Sequence, residues 1–467
     1  MATTVTGTAP TLDGEVITGL IATLRGRVVQ PHDPDYDTAR AVYNAMIDKH
    51  PALIAQCADV ADVIAAVNFA REHHLPLAIR SGGHNGPGLG TVDDGLVIDL
   101  SPMDGIRVDP VARTARVEAG AKLGDLHHAT QAFGLATPSG IIATTGVGGI
   151  TLGGGVGHLT RQFGLAIDNL LEADVVLADG SFVTASETSH PDLFWALRGG
   201  GGNFGVVTSF LFRLHPLPNL YAGPMLWPLE KSAEVLRWYR DFIVTAPDEL
   251  NGFFAFLTVP AGPPFPEDLW GKKVCGVVWA YTGDNPEATF APIRQQFGAP
   301  SLDWVGPIPH DALNSMFDPI YPAGHQWYWK ADFVKEIPEE AVDIHVRYGE
   351  TLPTPLATMH LYPIDGVAGR VGKDDTAWNF RDANWAMVMV GVSPDPADNA
   401  HMTEWTRNYW SDLHPHSAGG AYVNMMMDEG ADRVRASYGD HYDRLAQIKA
   451  TYDPGNLFRV NQNIKPA

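Results

Sequence analysis

Three glycine-rich segments hold the residues whose types and spacing could do chemistry. The first is Arg80-Ser81-Gly82-Gly83-His84-Asn85-Gly86-Pro87-Gly88. The second is Gly146-Val147-Gly148-Gly149-Ile150-Thr151-Leu152-Gly153-Gly154-Gly155-Val156-Gly157. The third is Arg198-Gly199-Gly200-Gly201-Gly202-Asn203-Phe204-Gly205-Val206-Val207. Without side chains, backbone N–H groups approach a ligand closely, and successive N–H groups form a concave nest for an anion. Three such segments on loops between strand-like and helix-like stretches point to a dinucleotide pyrophosphate rather than to three unrelated tight turns. Gly200, Gly202 and Gly205 satisfy G-x-G-x-x-G, but they follow a helix-like stretch and lead into a strand, the reverse of the Rossmann order. G-x-x-x-x-G-K-[ST], H-E-x-x-H and G-x-S-x-G are all absent, which removes the commonest nucleotide-hydrolase, zinc-protease and serine-hydrolase signatures.

The elements that must position these segments alternate through residues 50–217. Strands are expected at 53–55, 77–79 and 96–98, and residues 107–108 should pair with 115–117. Asp59 is placed to cap a helix with Val60, Val63, Ile64 and Val67 on one face. Residues 123–133 read as helix. Residues 174–177 and 182–184 read as a hairpin whose Asp179-Gly180 turn suits type I′. Residues 206–214 are a last strand. Pro216 and Pro218 mark a boundary. Beyond it the strand-like runs lengthen, at 253–257, 274–281, 326–333, 357–362 and 386–392, with amphipathic helices at 233–244 and 404–413. Eleven of the twelve tryptophans lie in this part, the exception being Trp195, which suggests an aromatic-lined pocket. The last stretch carries a helix with Tyr442, Leu445, Ile448 and Tyr452 along one side, ended by Asp453-Pro454-Gly455. The expected class is α+β.

Composition narrows the function. A chain of 467 residues is long enough for two domains. Its net charge of −22 repels phosphate backbones and anionic lipid, and no basic stripe relieves that, so neither nucleic acid nor membrane is an expected partner. Two cysteines, Cys57 and Cys275, exclude a disulfide framework and cysteine-based metal sites; no metal is expected. Residues 1–26 lack a basic start followed by an apolar run, so no leader is expected and the cytoplasm is the expected location.

Taken together, the Arg-Ser-Gly-Gly-His run at 80–84, the glycines of 146–157 and the Phe194-Trp195…Arg198-Gly-Gly-Gly-Gly-Asn-Phe-Gly-Val-Val block resemble the PCMH-type FAD-binding domain of the vanillyl-alcohol-oxidase superfamily. The tail, with Tyr438-Gly439-Asp440, Tyr442, Leu445, Lys449, Tyr452-Asp453-Pro454 and Asn461-Gln462-Asn463-Ile464, resembles the C-terminal segment of its berberine-bridge-enzyme-like branch. The resemblance runs from about Asn44 onward. It implies a two-part α/β FAD-binding domain over 1–217 (core 47–217), a substrate domain over 218–420 with a large antiparallel sheet covered by helices, and a segment 421–467 returning to the FAD domain. It implies a covalent bond from a ring nitrogen of His84 to the flavin. It implies cofactor contacts from Arg80, Ser81, Gly82, Gly83, Asn85, Gly146, Val147, Gly148, Gly149, Gly153, Gly154, Gly157, Val207, Asn461 and Asn463. Many relatives add a cysteinyl bond where this chain has Ile142, so one covalent bond is expected here. Thr145 matches a position that gates oxygen at the flavin.

Hydride transfer to a flavin also needs a base for the departing proton. Along Trp327-Tyr328-Trp329-Lys330 the strand period puts Tyr328 and Lys330 on one face. If the tryptophans pack on helices, Tyr328 and Lys330 face the cavity. Tyr422 and Asn424 share a face in the same way, in a Tyr-x-Asn segment that lies near the flavin in relatives, and His360 is a further candidate. The expected function is an oxidase that takes a hydride from an alcohol, sugar, amine or phenolic metabolite and passes electrons to O2, giving H2O2, as a monomer or homo-oligomer. The alternatives are a dehydrogenase of the same fold, a reductase with non-covalent flavin that uses NADPH, and a flavin-binding scaffold without activity.

Overall fold

The computed structural model describes residues 12–467. The first eleven residues of the stretch read above as lacking a leader lie outside the described residues; the next element is the helix Gly14–Thr23, capped by Asp13. Among the described residues no helix is long and apolar enough to cross a membrane, and no cluster of three or more metal-binding side chains occurs.

Short apolar runs build the first sheet. Leu53–Gln56, Leu96–Asp99 and Leu77–Arg80 lie parallel, and Arg27–Val29 joins antiparallel at one edge. Both faces of the parallel strands are covered, so consecutive residues such as Leu96, Val97 and Ile98 are all buried. Asp59 Oδ1 takes the N–H groups of Ala61 and Asp62 and starts the helix Val60–Glu72 that covers the sheet. The second sheet is antiparallel, in the order Ile106–Asp109, Thr114–Glu118, Val206–Arg213, Leu170–Val176, Phe182–Ser186. Its hairpin is present, but Gly180 alone takes positive φ, at 84°, and Gly180 N–H donates to the carbonyl of Leu177. The turn is thus not the expected type I′, which needs positive φ at both central residues; a glycine following a turn of ordinary φ reverses the chain. The helix Leu123–Gln131 stops two residues short of expectation.

The third sheet is antiparallel and has eight strands. Its path runs Leu302–Asp303, Tyr221–Pro228, Lys273–Tyr281, Leu250–Thr258, Thr358–Pro363, Trp385–Ser393, Gln326–Val334, with Gly306–Pro307 beside Tyr221–Pro228. Helices Ser232–Ile243, Glu339–Glu350 and Asn399–Leu413 cover one face, burying Phe254, Trp279, Met359 and Met389 among others. The opposite face looks toward the glycine segments. Buried ion pairs join the first two sheets to the third: Arg161 meets Asp365 at 2.9 Å, and Arg381 meets Asp168 at 2.6 Å. The Arg161 guanidinium also donates to the carbonyls of Ala246, Pro247 and Leu250, tying the helix Thr160–Phe163 to the start of the strand Leu250–Thr258.

Candidate active site

A cavity of about 880 Å³ lies between the glycine segments and the uncovered face of the eight-stranded sheet. Its first wall starts where Leu77–Arg80 runs out. Arg80 lines the cavity with a guanidinium that is buried and meets Asp99 at 2.8 Å, fixing the turn that follows. Ser81 Oγ donates to the Ala119 carbonyl at 2.5 Å and accepts the Gly148 N–H at 3.3 Å, tying the first segment to the second. Gly82 is obligatory there, because a Cβ would stand 2.2 Å from the Gly146 nitrogen.

His84 follows at the cavity wall. Its ring stacks on Tyr43, with centroids 3.9 Å apart, and the hydroxyls of Thr144 and Thr145 reach Nε2 and Nδ1 at 3.1 and 3.4 Å. Burial pushes the imidazole down to about 4, so the ring is neutral and keeps a lone pair near pH 7. Thr145 and Ile142 also line the cavity; Cys57 and Cys275 are buried elsewhere.

The third segment is finished by residues 438–464. Asn461 Nδ2 donates to the Gly202 carbonyl at 3.1 Å, and the Tyr438 hydroxyl donates to that of Gly200 at 3.1 Å. Asn203 Oδ1 accepts the Ile464 N–H at 2.9 Å. Lys449, fully buried, donates to the carbonyls of Asn203 and Phe458 and pairs with Asp453 at 2.6 Å.

These walls fit a dinucleotide. A Cβ on Gly149 or on Gly202 would meet no protein atom within 4 Å, so both backbones border open cavity. Asn461 Oδ1 is buried there without a partner in the protein. Arg80, Ser81, Gly82, Gly83, Asn85, Gly146, Gly148, Gly149, Val207 and Asn461 all line the cavity. Val147, Gly153, Gly154, Gly157 and Asn463 do not. Val147 is core, and the glycines are packing sites: added Cβ atoms would strike the Asn424 amide at Gly153, the Trp378 ring at Gly154 and the Ser139 carbonyl at Gly157. Gly201 and Asn203 of the third segment line the cavity too, as does Tyr43, which the sequence did not mark.

On the substrate side two expectations reverse. Trp327 and Trp329 face the cavity, while Tyr328 and Lys330 turn to the helix Asn399–Leu413. The Tyr328 hydroxyl accepts from Arg407 Nε at 2.9 Å; Lys330 pairs with Glu429 and lies 4.1 Å from the Trp410 ring centroid. Polar partners on the helix side decide the matter. Tyr422 and Asn424 do line the cavity, though from the 3-10 turn Val423–Met425 and its cap rather than from a strand. Asn424 Nδ2 donates to the Tyr422 hydroxyl at 2.8 Å, and the Gly155 N–H does so at 2.9 Å. His360 lines the cavity beside Tyr362, which the sequence did not mark.

Residues 51–186 match the family model described as an FAD binding domain, and residues 421–465 match that described as berberine and berberine like. The chain is 40% identical over 459 residues to the (R)-6-hydroxynicotine oxidase of Paenarthrobacter nicotinovorans, covering 95% of this chain and 97% of that one. It is 30% identical over 476 residues to the xylooligosaccharide oxidase of Thermothelomyces thermophilus, covering 94% and 92%. The crystal structure of 6-hydroxy-D-nicotine oxidase from Arthrobacter nicotinovorans superposes with a TM-score of 0.85 at 26% identity, over 95% of this chain and 98% of that one. With a cavity that fits a dinucleotide and relatives matched almost end to end, the chain belongs to the berberine-bridge-enzyme-like family of FAD-linked oxidoreductases.

Proposed function

We propose that this chain holds FAD in the cavity by one covalent bond, from a ring nitrogen of His84, and oxidises a small organic substrate with O2 as acceptor and H2O2 as product. The setting of His84 carries the reading. It is a neutral, stacked imidazole between two threonine hydroxyls on the wall that the glycine segments form. Bound FAD supplies the two-electron acceptor for a hydride. A histidyl tether prevents cofactor loss and withdraws electron density, which favours substrate oxidation. Ile142 and the absence of any cavity-lining cysteine among the described residues support a single tether. Thr145 stands beside His84 as the oxygen gate. Residues 1–217 then serve the cofactor, 218–420 the substrate, and 421–467 close the cofactor wall.

Acid precipitation tests the tether. Flavin fluorescence should stay in the washed pellet of the wild type and move to the supernatant in His84→Ala. Complete release from the wild type would overturn the covalent assignment. Peroxide formed in one-to-one ratio with substrate consumed identifies an oxidase, and a low yield identifies a dehydrogenase.

A further inference from the structure

The uncovered face of the large sheet is almost wholly hydrocarbon and aromatic ring, crossed by one polar stripe. Along Thr358–Pro363 side chains alternate. Met359 and Leu361 enter the helix-side core, while Thr358, His360 and Tyr362 line the cavity. His360 stands in register between Ala255 and Val388, Tyr362 beside Ala386, and Thr358 beside Val390. Aromatic rings of Phe253, Phe317, Tyr321 and Trp329 form further wall, and Phe265 with Trp304 lies along the loop 260–265.

Charge is the second observation. Among the described residues that line the cavity, Arg80 is the only one with a full charge, and Asp99 neutralises it. No lysine, carboxylate or second arginine faces the apolar half. An ionic group brought there would lose its hydration without a counter-ion. A sugar would bring several hydroxyls to a wall that can satisfy few of them.

The direction of the hydrogen bonds is the third. The Phe256 carbonyl can only accept, so Thr358 donates its O–H to it, at 2.7 Å. Thr358 Oγ1 therefore accepts from His360 Nε2–H, at 3.0 Å. That leaves Nδ1 as the acceptor of the Tyr362 O–H, at 2.5 Å. Burial holds the His360 ring neutral, pushing it down to about 3. Tyr362 thus turns only lone pairs to the cavity.

We propose that the substrate is an uncharged aromatic molecule bearing a hydroxyl group, and that Tyr362 receives that O–H; this rests on the flavin-oxidoreductase reading above. With an aryl carbinol, the substrate O–H proton passes to Tyr362 Oη as the Tyr362 proton passes to His360 Nδ1. The carbinol C–H bond breaks with its electron pair and goes as hydride to FAD, the oxidant. The carbinol carbon becomes a carbonyl. Tyr362 is a catalytic residue, and His360 acts through it as a positioning residue.

Calorimetric titration of the flavin-loaded enzyme tests this. Flavin content is fixed beforehand by absorbance, so a failure of the cofactor reading shows itself separately. The probes are 2-naphthol, 2-methoxynaphthalene, 2-naphthoate, naphthylmethylammonium and xylobiose. We expect 2-naphthol to bind at least about 30-fold more tightly than the carboxylate, the ammonium or the sugar. It should bind about 10-fold more tightly than the methyl ether, and Tyr362→Phe should erase that difference while leaving the affinity for the ether unchanged. With 2-naphthalenemethanol as substrate, His360→Phe should lower kcat and leave KM in place. No binding of 2-naphthol, or equal or tighter binding of a charged probe or xylobiose, overturns the substrate class. A preference for naphthol over the ether that survives in Tyr362→Phe overturns the role of Tyr362, and an unchanged kcat in His360→Phe overturns that of His360.

Discussion

Tyr422 receives two hydrogen bonds, from Gly155 N–H and Asn424 Nδ2, which leaves its own proton to point into the cavity. Burial pushes its phenol up to about 12, so the group donates throughout the neutral range. Tyr362 accepts and Tyr422 donates, so the two tyrosines offer a bound molecule polar contacts of both kinds. Tyr422→Phe strands two buried donors, each costing about 1–3 kcal/mol. The variant should melt earlier, keep its flavin, and reduce it about tenfold more slowly under anaerobic conditions. An unchanged reduction rate would remove Tyr422 from the chemistry. At this scale the sequence was readable where the signal is contiguous: His84 sits inside five residues that together mark a cofactor turn. Tyr362 was not readable. It is one of 14 tyrosines, and its role follows from which way a proton points along His360, a fact no spacing encodes.

Strand periodicity told correctly that Tyr328 and Lys330 share a face, and could not tell which way the face looks. Register on a sheet is a relation between neighbours; the partners that decided it, Arg407 and Glu429, arrive from elements some 80 to 100 residues away. Lys330 is therefore a brace for the segment after Tyr422. Lys330→Met leaves Glu429 buried beside Arg433 alone, and should cost about 3 kcal/mol in denaturant titration with the flavin still bound. The strand Tyr221–Pro228 escaped notice because Gly223 and Pro224 interrupt its pattern. The glycine segments divide in the same way. Gly82→Ala drives a methyl into the Gly146 backbone, so the chain should fail to fold. Gly202→Val meets no protein atom within reach of its Cβ, so it should fold with a near-normal Tm and lose flavin occupancy. Equal flavin content in Gly202→Val and wild type would show that this loop does not border the cofactor.

Across the whole molecule, acid should find a weak point between the sheets. His127, His158 and His310 are buried close together, the rings of His127 and His310 having centroids 4.5 Å apart. Burial holds His158 at about 3 and His310 at about 4, and His127 well below the ordinary value. Each folded value lies below that of the unfolded chain, so the unfolded state binds more protons as pH falls. Their contribution is complete above about 6.5 and drains away as pH drops toward 4 and then 3. Tm should fall by several degrees between pH 7 and pH 4.5, and more gently in His310→Asn.

The last of the three glycine segments is braced by Tyr438, Lys449, Asn461 and Ile464. The ribosome delivers those residues after every strand of the three large sheets. A nascent chain with its first 420 residues exposed already owns every strand of the three large sheets and still lacks the far wall of the cofactor site. Flavin is therefore expected to seat only after residue 464 has emerged, and a chain trimmed ahead of Lys449 is expected to be colourless however well its sheets assemble.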